Sequence, residues 1–159
     1  MPLRLTENDA WTRVFKVALK SLRAARRWDE AERLALDMVD SGVPLDNITY
    51  STLITAARRC RQFAKAVAWF ERMYNGGVLP DKVTYSAVLD VYAQLRMKEE
   101  VLALFDRARG SGWKPDHVAF AVLAKMFGEA GDYDGIQFVF KEMREVGIKP
   151  NIFVYKAVL

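Results

Sequence analysis

The 159-residue chain holds one cysteine and one histidine. A single thiol excludes an intrachain disulfide and a cysteine-rich metal site. Cys60 therefore reads as a small buried residue rather than a nucleophile. One histidine, His117, leaves no His–Cys–Cys zinc set and is expected to be solvated. No apolar run is long enough to span a membrane, and no glycine loop of the phosphate-cradling kind is present. Asp132 and Asp134 sketch the start of a calcium loop, but the remaining ligands are missing. Period-two alternation, the mark of strands, is absent. No catalytic constellation, metal or cofactor is expected. The opening Met1-Pro2-Leu3-Arg4 lacks the apolar core of a secretory signal, so no targeting peptide is read in this chain.

The formal net charge is +4. It is unevenly spread: residues 1–80 carry 13 Lys and Arg against 9 Asp and Glu, and residues 81–159 carry 11 of each. A polyanion would feel the first half more strongly, although a basic excess of this size also suits ordinary solubility.

What the chain has in abundance is repetition. Tyr50, Tyr85, Phe120 and Tyr155 stand 35 residues apart. Asp46, Asp81, Asp116 and Asn151 keep the same step, as do Gly42, Gly77, Gly112 and Gly147, and Phe70, Phe105 and Phe140. Units sharing one register stack into a solenoid, which presents an extended surface rather than a pocket.

Each period contains two amphipathic helices. Apolar residues fall at i, i+3, i+4 and i+7 in sets such as Tyr50, Leu53, Ile54, Ala57 and then Ala66, Trp69, Phe70, Met73. Met38, Met73 and Met143 occupy one position on the second stripe and read as core. Each second helix runs into a glycine, suited to a left-handed helix end. Pro80, Pro115 and Pro150 then discourage continuation. The Asp or Asn that follows suits an N-cap. The fold class is all-α: an α-solenoid of stacked antiparallel helical hairpins with a 35-residue period.

The stretches ITYSTLITAARRCRQFAKAVAWFERMYNGGVLPD (48–81), VTYSAVLDVYAQLRMKEEVLALFDRARGSGWKPD (83–116) and VAFAVLAKMFGEAGDYDGIQFVFKEMREVGIKPN (118–151) resemble pentatricopeptide repeats of the P-type class. A tetratricopeptide reading fits less well, because its period is 34 and its Trp–Leu–Gly pattern is not seen. The expected organisation is an N-terminal segment 1–11, a divergent unit 12–46, units 47–81, 82–116 and 117–151, and the start of a truncated unit 152–159. That last piece would carry an uncovered apolar face, suggesting self-association through the C-terminal end.

The resemblance implies single-stranded RNA binding in a plastid or mitochondrion, one base per repeat. It serves organellar RNA processing, stabilisation or translation. It assigns base reading to the residue after the first-helix ring and to the last residue of the repeat. Those pairs are Ser51 with Asp81, Ser86 with Asp116, Ala121 with Asn151, and Lys16 with Asp46 in the divergent unit. Ile48, Val83 and Val118 would sandwich bases, and Arg59, with Arg58 and Lys20, would meet phosphates. A Ser-plus-Asp pair implies guanine, so guanine is preferred at two adjacent positions, the strand running 5′ to 3′ from N to C. The chemistry agrees: a carboxylate only accepts hydrogen bonds, a hydroxyl does both, and guanine offers N1–H and N2–H donors. Ser51 sits about 100° round the helix from Tyr50, at the edge of the buried stripe. Taken alone, the Asp ladder reads as helix caps. A cap uses one oxygen, so both roles coexist. Two departures stand out: Ala121 has no hydrogen-bonding group, and Lys16 is a cation in a unit whose Arg13 replaces the apolar wedge. Alternatives are a protein-binding helical scaffold, or the specificity arm of an RNA-processing enzyme whose catalytic domain lies outside this chain.

Overall fold

The computed structural model describes residues 13–18, 20–21 and 27–149. Asn151, the segment 152–159 with its expected self-association surface, and the segment 1–11 lie outside the described residues. Residues 13–18 and 20–21 are helical. Seven helices follow: α1 Trp28–Asp40, α2 Asn47–Arg59, α3 Phe63–Asn75, α4 Lys82–Gln94, α5 Lys98–Ala108, α6 His117–Glu129 and α7 Tyr133–Glu145. Helices α2, α4 and α6 start 35 residues apart, and so do α1, α3, α5 and α7. The chain divides into two compact units, Met1–Val88 and Leu89–Leu159.

In the first unit α2 and α3 form a hairpin whose facing stripes are those the periodicity marks. Leu53, Ile54 and Ala57 from α2 and Ala66, Phe70 and Met73 from α3 are fully buried. Tyr50 and Trp69 meet across the pair with ring centroids 6.3 Å apart. Each large apolar side chain removed from water stabilises the fold by roughly 1.5–3 kcal/mol. The stack depends on these stripes rather than on helix propensity.

In the second unit Phe105 of α5 is the aromatic centre. Its ring lies 5.5 Å from Trp113, 6.4 Å from Phe120 and 5.1 Å from Phe138, the last edge-on. Met143 is fully buried, while Phe140 is half-buried.

Glycine ends three of the second helices as their sequence suggests. Gly42, Gly77 and Gly147 take φ values of 79°, 78° and 79°. The next residue donates back across the end: Val43 N–H to Met38 O, Val78 N–H to Met73 O, and Ile148 N–H to Met143 O. That closure satisfies carbonyls that would otherwise lack partners. The α5 end differs. Gly112 was expected to close it, but the helix stops at Ala108, Arg109 is extended, and Gly110 takes φ 81° ahead of Gly112 at 84°. A second glycine two residues upstream opens a left-handed exit earlier. Arg109, released from the helix, donates Nη2–H to Glu142 Oε1 at 2.8 Å. The Glu142 side chain is only 5% exposed, so this pairing matters more than a surface bridge. Cys60, read as buried, is half-buried at the end of α2, where the chain leaves the packed face. His117 is exposed at the first turn of α6.

A further ladder appears only in three dimensions. Arg61, Arg96 and Gly131, again 35 residues apart, turn each first helix into its second with φ of 57°, 56° and 66°. Only Gly131 announces that conformation in sequence.

Gly135, near the start of α7, is buried against Phe127. A Cβ there would lie 2.2 Å from Cδ1 and 2.5 Å from Cγ of that ring. Phe127 is itself 1% exposed and has little room to retreat. Gly135→Ala is expected to destabilise the chain by about 1–3 kcal/mol through overpacking, read as a lower urea midpoint. Gly131→Ala is the control, a strained φ with open space around it. Combining Gly135→Ala with Phe127→Leu should recover part of the loss.

Candidate nucleic-acid interface

The first helix of each hairpin starts on an aspartate. Thr49 N–H donates to Asp46 Oδ1 at 2.8 Å, Thr84 N–H to Asp81 Oδ1 at 2.8 Å, and Ala119 N–H to Asp116 Oδ1 at 2.9 Å. Asp46 and Asp116 are extended at φ −88° and −89°, as an N-cap requires. The capping reading of the Asp ladder therefore holds at all three described rungs. One oxygen does that work. For Asp81 and Asp116, Oδ2 has no hydrogen-bond or ion-pair partner among the described residues. At Asp81 the cap is reinforced, because Thr84 Oγ1–H also donates to Oδ1 at 2.8 Å from a fully buried position.

Two residues beyond each cap stands an apolar side chain in water. Ile48, Val83 and Val118 are 53%, 60% and 58% exposed. Such near-equal exposure at one repeat position identifies a face of the unit, since scattered exposed apolar residues would show no common step.

The expected reading residues are placed unequally. Ser86 is exposed, Ala121 is half-buried, and Ser51 is 7% exposed. The two serines are equivalent in sequence yet not in access. Ser86 lines a groove of about 360 Å³ within the first unit, together with Thr55, Arg58, Lys82, Val83 and Ala87. Arg59 and Lys20 are exposed, and Arg58 is half-buried at the groove itself. Lys82, which sequence reasoning passed over, supplies a second cation. Its one signal was its place directly after the Asp81 rung. Among the described residues this groove is lined by cations and no carboxylate. A smaller groove of about 210 Å³ in the second unit includes Gln94, Arg96, Val122, Lys125 and Glu129. There Arg96 Nη2–H donates to Glu129 Oε2 at 2.7 Å, so one of the groove's two cations is paired with its carboxylate.

Lys16 and Asp46 meet directly, Nζ to Oδ2 at 3.1 Å. Partial burial would raise the Asp46 carboxyl, but hydrogen bonds from Thr49 and Lys16 outweigh it and hold the group below the ordinary carboxylate range. Asp132 is also held low, chiefly by the hydrogen bond from Lys98 and then by the Gly135 N–H.

Helical hairpins joined at a fixed 35-residue step define an α-helical repeat protein. The pentatricopeptide repeat domain profile matches residues 33–95, 70–130 and 103–159, and the chain belongs to that family. A chloroplastic pentatricopeptide repeat-containing protein of Arabidopsis thaliana is 57% identical over 58 residues, 36% of this chain and 8% of its own length. The chloroplastic ATP4 protein of Zea mays is 46% identical over 59 residues, 37% of this chain and again 8% of its own. The chain thus spans a small fraction of these relatives. Among solved structures, PPR10 in complex with an 18-nt psaJ RNA element matches with TM-score 0.67 and 27% identity over 92% of this chain and 21% of that one. The repeat domain of A. thaliana protein-only RNase P 1, in complex with tRNA, shares the fold with TM-score 0.79 at 18% identity, over 92% of this chain and 77% of that one.

Two outcomes follow from the caps. Asp81→Ala should cost about 1 kcal/mol, whereas Asp81→Asn, still a good cap, should stay within a few tenths, as measured by chemical denaturation. The lowered Asp46 and Asp132 carboxyls bind protons less readily folded than unfolded. Their contribution is complete above the unfolded carboxylate pKa of about 4 and is lost as pH falls through the lower folded values. A Lys16→Met, Lys98→Met double variant should show a shallower loss of thermal stability between about pH 4 and pH 2 than the parent.

Proposed function

We propose that this chain is a single-stranded RNA-binding segment of a plastid pentatricopeptide repeat protein, reading one base per repeat. No catalytic step is assigned to its residues. The observation that carries the reading is the 3.1 Å contact between Lys16 and Asp46. The position after the first-helix ring and the position closing the repeat lie 30 residues apart in sequence and converge in space. Advancing both by 35 residues gives Ser51 and Asp81, so the repeat register assigns a hydroxyl and a carboxylate to one slot. The same step in sequence pairs Ser86 with Asp116.

A base entering such a slot meets three things. The exposed apolar side chain at Ile48 or Val83 offers its face a flat apolar contact. The uncapped Asp oxygen accepts from a base edge, and guanine is the base that presents two neighbouring donors there. The cations Arg58 and Lys82 lie beside the first unit's groove, where they suit a phosphate. The names of the relatives support the plastid, and the PPR10 complex supports RNA as the ligand class. The Ser51 hydroxyl lies at a buried position and Ser86 at an open one, so Ser86 carries the greater share of discrimination.

Binding of the chain to short RNAs differing at two adjacent positions tests this. GG should win. Ser86→Ala should reduce its advantage by roughly five- to tenfold, the cost of one unmet base-edge hydrogen bond, and Ser51→Ala by less. Lys82→Gln should weaken every RNA alike and lower the salt slope by about 1. Equal binding of GG, AA, CC and UU would sink the base-reading assignment.

A further inference from the structure

We propose that the unit 12–46 is a closed slot: Lys16 occupies the second oxygen of Asp46, so this unit lets a base pass unread. The inference rests on the base-reading assignment above and adds to it a residue that determines specificity by exclusion.

The geometry is specific to this unit. Asp46 spends both oxygens, Oδ1 on the α2 backbone through Thr49 N–H and Oδ2 on Lys16 Nζ. Asp81 and Asp116 use Oδ1 for their caps and keep Oδ2 without a partner among the described residues. The difference arises from one position. Where the next two units have the short side chains of Ser51 and Ser86, the first has a lysine whose four-carbon stem carries its ammonium to Asp46. A guanine edge approaching Asp46 would find an ammonium already donating to its acceptor, and two sets of donors repel. The apolar wedge is missing as well, because Arg13 stands where Ile48 and Val83 stand in the following units. The two departures act in one direction: neither the face nor the edge of a base is recognised.

The ion pair itself is weak. Its side chains are 32% and 45% exposed, and pairs so exposed contribute little to stability. That suits a blocking role, since removing Lys16 should leave the fold intact and expose a carboxylate already held in place by its cap. Lys16→Ser recreates the hydroxyl-and-carboxylate set of the next two units.

The test uses RNAs of the form NGG, with N each of the four bases, against the full chain, Lys16→Ser and Lys16→Met. The parent should prefer GG at the last two positions and bind all four N alike, within about twofold. Lys16→Ser should acquire a preference for G at N of roughly five- to tenfold, the size expected for one satisfied base-edge contact. Lys16→Met, which removes the charge and adds no polar group, should acquire less. Carboxyl NMR titration of Asp46 gives a reading independent of RNA: its pKa should rise toward the ordinary value in both variants if the ion pair exists in solution.

Two results overturn the closed slot while leaving base reading intact. One is a parent that already discriminates at N. The other is a Lys16→Ser chain that weakens all four RNAs equally with a smaller salt slope, which would make Lys16 a phosphate contact. If the parent shows no preference even for GG while the Asp46 titration reveals the ion pair, the base-reading assignment has failed and the slot falls with it.

Discussion

A single hydrogen bond, from a backbone N–H in the first helical turn to one oxygen of an aspartate, organises each unit. It satisfies a donor that a helix start otherwise leaves bare. It fixes the chain direction after the glycine- and proline-marked turn, and it holds a carboxylate at a set place. Because the bond recurs at Asp46, Asp81 and Asp116, everything measured from it recurs too. The exposed apolar residue comes two positions later and the reading position five later. In the proposed reading, stability and recognition share a side chain without competing, since each uses a different oxygen.

The same residue shows how function varies on an unchanging frame. Asp46, Asp81 and Asp116 do identical work for the helix, and only Asp46 has its second oxygen paired among the described residues. The equivalent positions Lys16, Ser51 and Ser86 vary because that position caps no helix. Packing constrains other sites far more tightly. Phe127 demands Gly135 opposite it, whereas Tyr92, its counterpart one unit earlier, has Glu100 at the matching place. Each unit adjusts its own core locally while the step stays at 35 residues.

Charge follows a similar division. Within the first unit the groove at Ser86 is lined by Arg58 and Lys82. Within the second unit's groove Arg96 is matched by Glu129. The first unit's groove thus carries two cations and no carboxylate, and the second unit's carries two cations of which one is paired. Short-range pairing decides which cations contribute to a field that a ligand would feel.

Sequence alone determined the helix pairs, their 35-residue step, the buried stripes and the family, because periodicity and register are properties of order along the chain. Gly42, Gly77 and Gly147 stood out for the same reason: only glycine enters a left-handed helix end without penalty. It did not determine how α5 ends, since Gly110 and Gly112 both allow a left-handed exit and the helix leaves at the earlier one. Nor could it tell Ser51 from Ser86, identical in local pattern and unequal in access. The meeting of Lys16 with Asp46 was likewise beyond it, because a pairing across 30 residues exists only after two helices have packed. What the fold alone decided were the contacts between side chains distant in sequence, and burial and charge compensation depend on those neighbours.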